Sequence, residues 1–525
     1  MTALTCDVVI IGSGAAGGVL AATLSELTGK RIIVLEKGGF FAAESFNQRE
    51  WDMRILYAQE SRQSTVDGGI PVRSGECVGG GTTVNFALCF DPVESVWRSW
   101  RDTAGVSGFS FDPNANDYGV AGLNIPSALA DVRTRIHVAR AIDDEINGNN
   151  RVLADGCSAL GLPWKPFELN MRNCVRSGFC GEGCAYDAKQ GTMVTYMADA
   201  VGRGVQLIHH CDVERIVFEK RRGALTATGV RARVRPTRAG SRPNGVPPGR
   251  LTIDAKLVIV AAGAIATPTL LQRSAHPDPH GRIGRGLVLH PSLPVIGRFD
   301  RVLENYRGIP GTVYSDAFAE SHHAYFEALF GHPVYGALVI PGTGAEHFEL
   351  LRDLPKLAGF GVMLRDEADP SNRVEWSAAD GKPRIHYRLT AADRERLRFA
   401  AARAVEVMFA GGAREVLLAS DEAIGPLPQP RFREPAEARH CAHLSFLAHR
   451  TVLTSSHAQA TVKMSDDPLL GVVSSRGESH LARNLITCDA SSFPTSCGVN
   501  PMVSIMTMAR YQGRRIAAEW DRHAR

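Results

Sequence analysis

The chain has 525 residues, too many for one compact core, and at roughly 100–200 residues per domain it is expected to fold as two or three units. Its 44% hydrophobic and 22% charged residues exclude a disordered, fibrous or collagen-like chain. The 59 basic and 55 acidic residues leave a net charge of +4 without a basic stripe, so neither nucleic acid nor an anionic membrane is expected as a partner.

Asp7–Gly12 is a short apolar run rich in β-branched residues, the signature of a buried parallel strand. No basic segment precedes Val8–Ile11, as a secretory signal would need. Gly14–Leu27 brings small residues and helical spacing, and Arg31–Glu36 is a second buried strand, completing one βαβ unit. Gly12-Ser13-Gly14-Ala15-Ala16-Gly17, at its first turn, fits G-x-G-x-x-G. Gly12 permits the tight turn, Gly14 lets backbone approach a pyrophosphate, and Gly17 lets the helix pack on the strand, while the helix N-terminus attracts phosphate charge. Glu36, followed by Lys37, closes the second strand where a carboxylate can accept hydrogen bonds from ribose hydroxyls. Such an acid disfavours a 2′-phosphate, so NADP is not expected; this unit alone leaves FAD and NAD both open.

The next glycine-rich segment, Gly75–Asn85, holds a Gly79-Gly80-Gly81 turn that lets backbone pass close to a flat ring, with a plain glycine-rich hairpin as the alternative. Residues 106–200 mix loop signals with helical stretches such as Ala130–Ile146. Strand-like segments return at Val205–Glu219 and Leu225–Val234, and Arg235–Arg250 reads as a hairpin tip or exposed loop. His209-His210-Cys211-Asp212 lies in a strand-like part whose alternate residues face opposite sides, which argues against metal binding. Leu251–Ala262 is strand again, and a helix follows from Ala264 with Thr267-Pro268 at its opening. The apolar run Leu257–Leu271 is too short for a bilayer, and a soluble cytoplasmic protein is expected.

Further on, Arg373–Trp376 and Arg384–Leu389 flank the turn Asp380-Gly381-Lys382-Pro383 as a hairpin, and Thr390 can cap a long helix ending near Gly411-Gly412. From about 450 buried strands return, then a final helix opened by Gly498-Val499-Asn500-Pro501, where Asn is a favoured cap and Pro a favoured first residue. The simplest architecture is α/β. A Rossmann-like nucleotide-binding domain of discontinuous segments (1–105, 200–297 and 450–525) carries a second domain (106–199 and 298–449) with a mixed or antiparallel sheet and helices.

Four further segments resemble the glucose–methanol–choline (GMC) oxidoreductase family. Gly75–Asn85 is similar to its first signature, with Glu76 where a basic, polar or Cys residue is usual. Gly263–Ser274 is similar to the second, with Ala275 in place of Gly. Ile283-Gly284-Arg285-Gly286 with His290-Pro291 resembles another element, and His457–Pro501 resembles the catalytic region. The resemblance implies FAD as cofactor, oxidation of a small-molecule alcohol, and oxygen or another electron acceptor. It implies His457 as the base, from Ser455-Ser456-His457-Ala458-Gln459-Ala460-Thr461 with Ala460 replacing Gly, and Asn500 as the residue that bonds the substrate oxygen. Gly79, Gly80, Gly81, Thr82, Val84 and Asn85 would lie along the flavin. Asp489 and Ala490 would lie at its ribityl or phosphate region, and Pro501 and Met502 would open a helix aimed at its pyrimidine. An imidazole of near-neutral pKa suits removal of a hydroxyl proton, and the flavin accepts the hydride.

The eleven cysteines, mostly isolated among apolar residues, fit a reducing compartment. Cys174, Cys180 and Cys184 form C-x5-C-x3-C, read as packed thiols or a local disulfide; a metal site lacks a fourth ligand at standard spacing. That segment resembles long-chain alcohol oxidases and cholesterol-oxidase-like members, which implies a hydrophobic or aromatic primary or secondary alcohol. Tyr306, Tyr314, Phe318, Tyr325, Phe326, Phe330 and Tyr335 fit an apolar pocket or simply a core. The alternatives are a sugar, glycoside or sterol oxidase of the same family, a flavin-dependent hydroxynitrile-lyase-like enzyme without redox turnover, and a non-enzymatic nucleotide-binding protein.

Overall fold

The computed structural model describes residues 2–523. Its first sheet is centred on β1 (Thr2–Ile11), parallel to β2 (Ile32–Leu35) on one side and to β3 (Gly249–Val260) on the other. Val8, Val9, Ile10 and Ile11 are all buried, as in a parallel strand covered on both faces. The helix α1 (Ala15–Thr28) makes the crossover from β1 to β2. β3 forks: Gly249–Asp254 pair antiparallel with the strand Ala224–Val234, and Val258–Val260 pair parallel with Leu485–Thr487. That fork joins the C-terminal segment to the sheet that carries the first glycine turn.

The C-terminal helix Met502–Ala518 and the helix Ile125–Arg135 share one apolar core with α1 and the sheet. Residues 106–136 therefore belong here and not to the second unit, as the sequence had suggested: Phe109, Ile125, Ala128 and Val132 are buried in this core. The helix expected over Ala130–Ile146 is displaced as well. The Asn124 side chain caps it by accepting from the Ser127 N–H, and it stops before His137, which takes φ +52°.

The second sheet is antiparallel and seven-stranded. Its middle is β4 (Ser292–Arg298), β5 (Ala324–Ala328) and β6 (Leu357–Leu364), with β6 between the other two. A domain boundary at 297 would cut β4, so the unit resumes at Ser292. One face lies on the helix Ala391–Ala410, opened by reciprocal bonds between Thr390 and Asp393; Leu397, Ala401 and Ala404 share a core there with Val295, Phe360 and Val362. The alternate residues Pro294, Ile296, Glu327, Gly359, Gly361 and Met363 form the other face, which lines the cavities described below. No helix among the described residues is long and apolar enough to cross a membrane.

Candidate active site

At the end of β1 the chain turns through Gly12, φ +101°, where a Cβ would lie 2.3 Å from the Ala261 carbonyl oxygen. A Cβ on Gly17 would fall 1.9 Å from the Gly12 oxygen, so helix and turn meet backbone to backbone. α1 starts after Gly14 at Ala15-Ala16 with no capping side chain and no acid in its first turn, which leaves its first N–H groups to an anion. The Gly79-Gly80-Gly81 turn faces it: a Cβ on Gly80 would stand 2.9 Å from the Gly14 Cα. A cradle this bare, with free helix donors, fits the pyrophosphate and ring of FAD.

Ser13, which no motif singled out, ties the cradle together. Its Oγ donates to Glu36 Oε2 at 2.7 Å and accepts from the Gly79 N–H at 3.1 Å. Glu36 also accepts from the N–H groups of Ser13 and Gly38, at 3.1 and 2.9 Å, and burial raises its pKa. Lys37 is exposed and pairs with Glu76 at 2.6 Å. Thr82 donates to the Gly79 carbonyl at 2.7 Å, and its Oγ1 lies 3.0 Å from that of Thr192. Buried Lys189 donates to the carbonyls of Thr83, Asn85 and Cys180 at 2.7, 2.7 and 2.5 Å, fixing the Val84–Asn85 stretch; Asn85 Nδ2 reaches the Met502 sulfur at 2.9 Å.

Asp489 accepts from the Gly263 N–H at 2.9 Å, the Thr267 hydroxyl at 2.6 Å and the Ser491 N–H at 2.7 Å. Its carboxylate thus ties the Ala490 turn to the opening of the helix that follows β3. The expected helix opening at Thr267-Pro268 is corrected: α2 (Gly263–Arg273) starts earlier and holds Pro268 in its second turn. Pro268 has no N–H for the Ala264 carbonyl four residues back, and the Thr461 hydroxyl donates to that carbonyl instead at 2.7 Å.

One cavity is lined by Ala15, Thr82 and Asn85 together with His457 and Asn500, with Pro501 and Met502 in its wall. Burial pushes the His457 pKa down to about 4, so the imidazole is neutral near pH 7 and free to take a proton. Asn500 is not the helix cap. The C-terminal helix starts at Met502 after Pro501 without a capping side chain, and Asn500 Nδ2 points instead at Glu327 Oε2, 3.5 Å away. Asn500 Oδ1 and Glu327 Oε1 are buried with no partner among the described residues, and burial raises the Glu327 pKa to about 7.

Glu327 escaped the sequence reading; its only signal is a lone acid in the apolar run Ala324-Tyr325-Phe326-Glu327-Ala328. His290 was legible only as part of a motif. Its Nε2 lies 2.6 Å from Ser496 Oγ and 3.2 Å from Gln459 Nε2, a network that assigns its proton to Nδ1. Its ring meets that of His457 edge to face at 5.4 Å. Gln459 joins the loops that carry His457 and Asn500: Oε1 accepts from the Cys497 N–H at 2.9 Å, and Nε2 donates to the His457 carbonyl at 3.1 Å.

Of the aromatic residues between 306 and 335, Phe330 and Tyr335 line cavities, whereas Phe318 and Phe326 pack in the core. All eleven cysteines are free thiols; Cys174, Cys180 and Cys184 border a small separate cavity with Lys189. Among the described residues no group of three His, Cys, Asp or Glu side chains is arranged to hold a metal ion. His210 has φ +50° and sits in the turn between two strands, with Nε2 3.0 Å from Ser241 Oγ.

Residues 7–292 match the GMC oxidoreductase N-terminal family model, and residues 368–509 match the C-terminal one. The chain is 31% identical to an uncharacterized GMC-type oxidoreductase of Mycobacterium tuberculosis, over 96% of this chain and 74% of that protein. It is 28% identical to a long-chain-alcohol oxidase of Arabidopsis thaliana, over 98% of this chain and 68% of that protein. The fold is similar to the crystal structure of pyridoxine 4-oxidase from Mesorbium loti, with a TM-score of 0.66 and 17% identity over 97% of this chain and 99% of that one. Two facing glycine turns at the head, a histidine and an asparagine from the tail, and family matches over most of the length establish that the chain belongs to the GMC oxidoreductases, with FAD as its cofactor.

Proposed function

We propose that this oxidoreductase converts a hydrophobic primary or secondary alcohol into the aldehyde or ketone. The observation that carries the reading is the convergence of His457, Asn500 and Glu327 on one cavity whose other walls include Phe86, Leu88, Leu329 and Met363. A sugar would set hydroxyls against those apolar side chains, and each one left without a partner would cost about 1–3 kcal/mol. The similarity to a long-chain-alcohol oxidase points the same way.

FAD would be held by Gly12, Gly14, Ala15, Ala16 and Gly17 at its pyrophosphate and by Glu36 near the adenosine ribose. Gly79, Gly80, Gly81, Thr82, Val84 and Asn85 would follow along the ring, with Ala490, Pro501 and Met502 around them. When bound, it supplies the hydride acceptor for the carbinol carbon. His457, uncharged at neutral pH, takes the hydroxyl proton at an imidazole nitrogen. Asn500 orients the oxygen, and its amide donates to the charge that grows there. Gln459 holds the two loops in register, and the apolar walls exclude water. Oxygen or another acceptor then returns the enzyme to its oxidised form.

An anaerobic screen of alcohols, followed by bleaching of the visible flavin band, tests the reading. His457→Ala should keep the bound flavin and slow its reduction by about 10²–10⁴-fold. Near-normal reduction in that variant would refute His457 as the base, and product formation without bleaching would favour a lyase.

A further inference from the structure

The reaction cavity does not end at the catalytic residues. A second cavity adjoins it, and the two share Phe86, Ser292, Leu329, Tyr335 and Thr454 in their walls. Its floor is the face of β4 and β6 that carries Pro294 opposite Gly361 and Ile296 opposite Gly359. On a half-buried sheet, every second residue normally raises a side chain. Here two such positions of β6 lack a side chain: Ser292 covers Gly361, and Gly359 is left bare, a gap in the sheet face between Met363, which lines the reaction cavity, and Leu357. At about 3.3 Å per residue, the strand from Met363 to Leu357 runs on the order of 20 Å.

Neither glycine is demanded by its backbone. Both have ordinary φ; a Cβ on Gly361 would lie 2.6 Å from Ser292 Oγ, which fills that position, whereas one on Gly359 would meet nothing closer than the Val295 oxygen at 3.4 Å. What the missing side chain of Gly359 leaves is volume. The roof is the helix α3 (Pro333–Val339), through Gly336 and Val339, with Ile340 and Leu354 beyond it. The N–H groups of Val334 and Tyr335 donate to the Glu50 carboxylate at 2.8 and 2.9 Å, and the Arg73 guanidinium lies 4.2 Å above the Tyr335 ring, so the neck end of the roof is pinned. Beyond the neck, the one polar side chain in the wall is Asn305.

We infer that this second chamber binds the tail of the substrate. The reacting hydroxyl lies at His457 and Asn500, and a slender, unbranched apolar chain passes Phe86, Leu329 and Tyr335 to lie over Gly359. The inference rests on the alcohol-oxidising function proposed above and narrows it to long-chain primary alcohols. Transfer of each added methylene into the chamber should raise kcat/KM, by at most about fourfold per carbon.

The test uses the FAD-loaded enzyme with 1-butanol, 1-octanol and 1-dodecanol as reductants. In the unmodified enzyme, kcat/KM should climb with chain length. Gly359→Leu places a side chain in that gap and should lower kcat/KM for 1-dodecanol by at least about tenfold, while 1-butanol stays within about threefold. Val339→Trp fills the same space from the roof and should give the same pattern if Gly359→Leu fails to fold. Binding of cis-parinaryl alcohol, a fluorescent chain, is measured alongside. Binding to the unmodified enzyme but not to the variants, with no alcohol oxidised, would sink the proposed function and leave the chamber standing. Oxidation that is indifferent to chain length, or variants that slow all three alcohols equally or none, would overturn the chamber.

Discussion

At Gly12 and Gly17 a Cβ would lie 2.3 and 1.9 Å from a carbonyl oxygen, whereas at Gly359 the nearest atom is a carbonyl oxygen at 3.4 Å. The first pair sits where backbone passes backbone, and only the absence of a side chain allows the turn. Gly359 sits in a regular strand that would accept any β-former, and its absent side chain leaves a gap. The same residue thus serves geometry in the cofactor half and volume in the substrate half. Motifs record the first use, because turn geometry is local. They do not record the second, because volume depends on what lies across the cavity.

Substitutions can break this contrast. Gly17→Ala forces the turn apart and should abolish bound flavin, seen as loss of the visible band, while Gly359→Leu should keep it. A yellow Gly17→Ala protein would put the two glycines in one class. Next in size, Asn500→Ala should retain flavin and slow its reduction by about 10²-fold, as for loss of one donor to a developing oxyanion; an unchanged rate constant would remove Asn500 from the chemistry.

A third substitution concerns pH. Burial holds His457 neutral down to about pH 4 and Glu327 neutral up to about pH 7. The pH profile of kcat/KM should therefore be flat between those limits. It should fall on the acid side as His457 gains a proton and on the alkaline side as Glu327 loses one. Glu327→Gln should erase the alkaline fall and keep the acid one; an unaltered profile would show that the Glu327 charge is irrelevant. The smallest effect is expected at Thr461→Val, which leaves the Ala264 carbonyl without its donor. Stability should drop by about 1–3 kcal/mol, read as a lower Tm, with the turnover of folded enzyme little changed.

Much of the cofactor half could be read directly. The βαβ unit, the Gly12–Gly17 turn and Glu36 lie within one stretch of chain, and His457 and Asn500 fall in segments with a family resemblance. Ser13 and Lys189 are silent in the sequence because what they tie in, Gly79 for the one and Thr83 and Asn85 for the other, lies 66 and 104–106 positions away, and a lone hydroxyl or ammonium carries no periodic signal. Gln459 was passed over inside a quoted motif, since its work is to join that motif to Cys497, 38 residues on. Residues 106–136 were placed with the wrong unit because burial against α1 and the C-terminal helix leaves no mark in local composition.

By itself the sequence determined the nucleotide fold and, through motifs that resemble a family, pointed to FAD and to His457 as the candidate base. Each depends on residues close in the chain, where backbone sterics and residue type act directly. Only the tertiary structure decided that Asn500 turns toward Glu327 instead of capping its helix, that the Asp489 carboxylate ties the Ala490 turn to α2, and that the strand residue Gly359 leaves room beside the candidate site. Those outcomes depend on which surfaces meet across the fold, and that is set by packing between segments hundreds of residues apart.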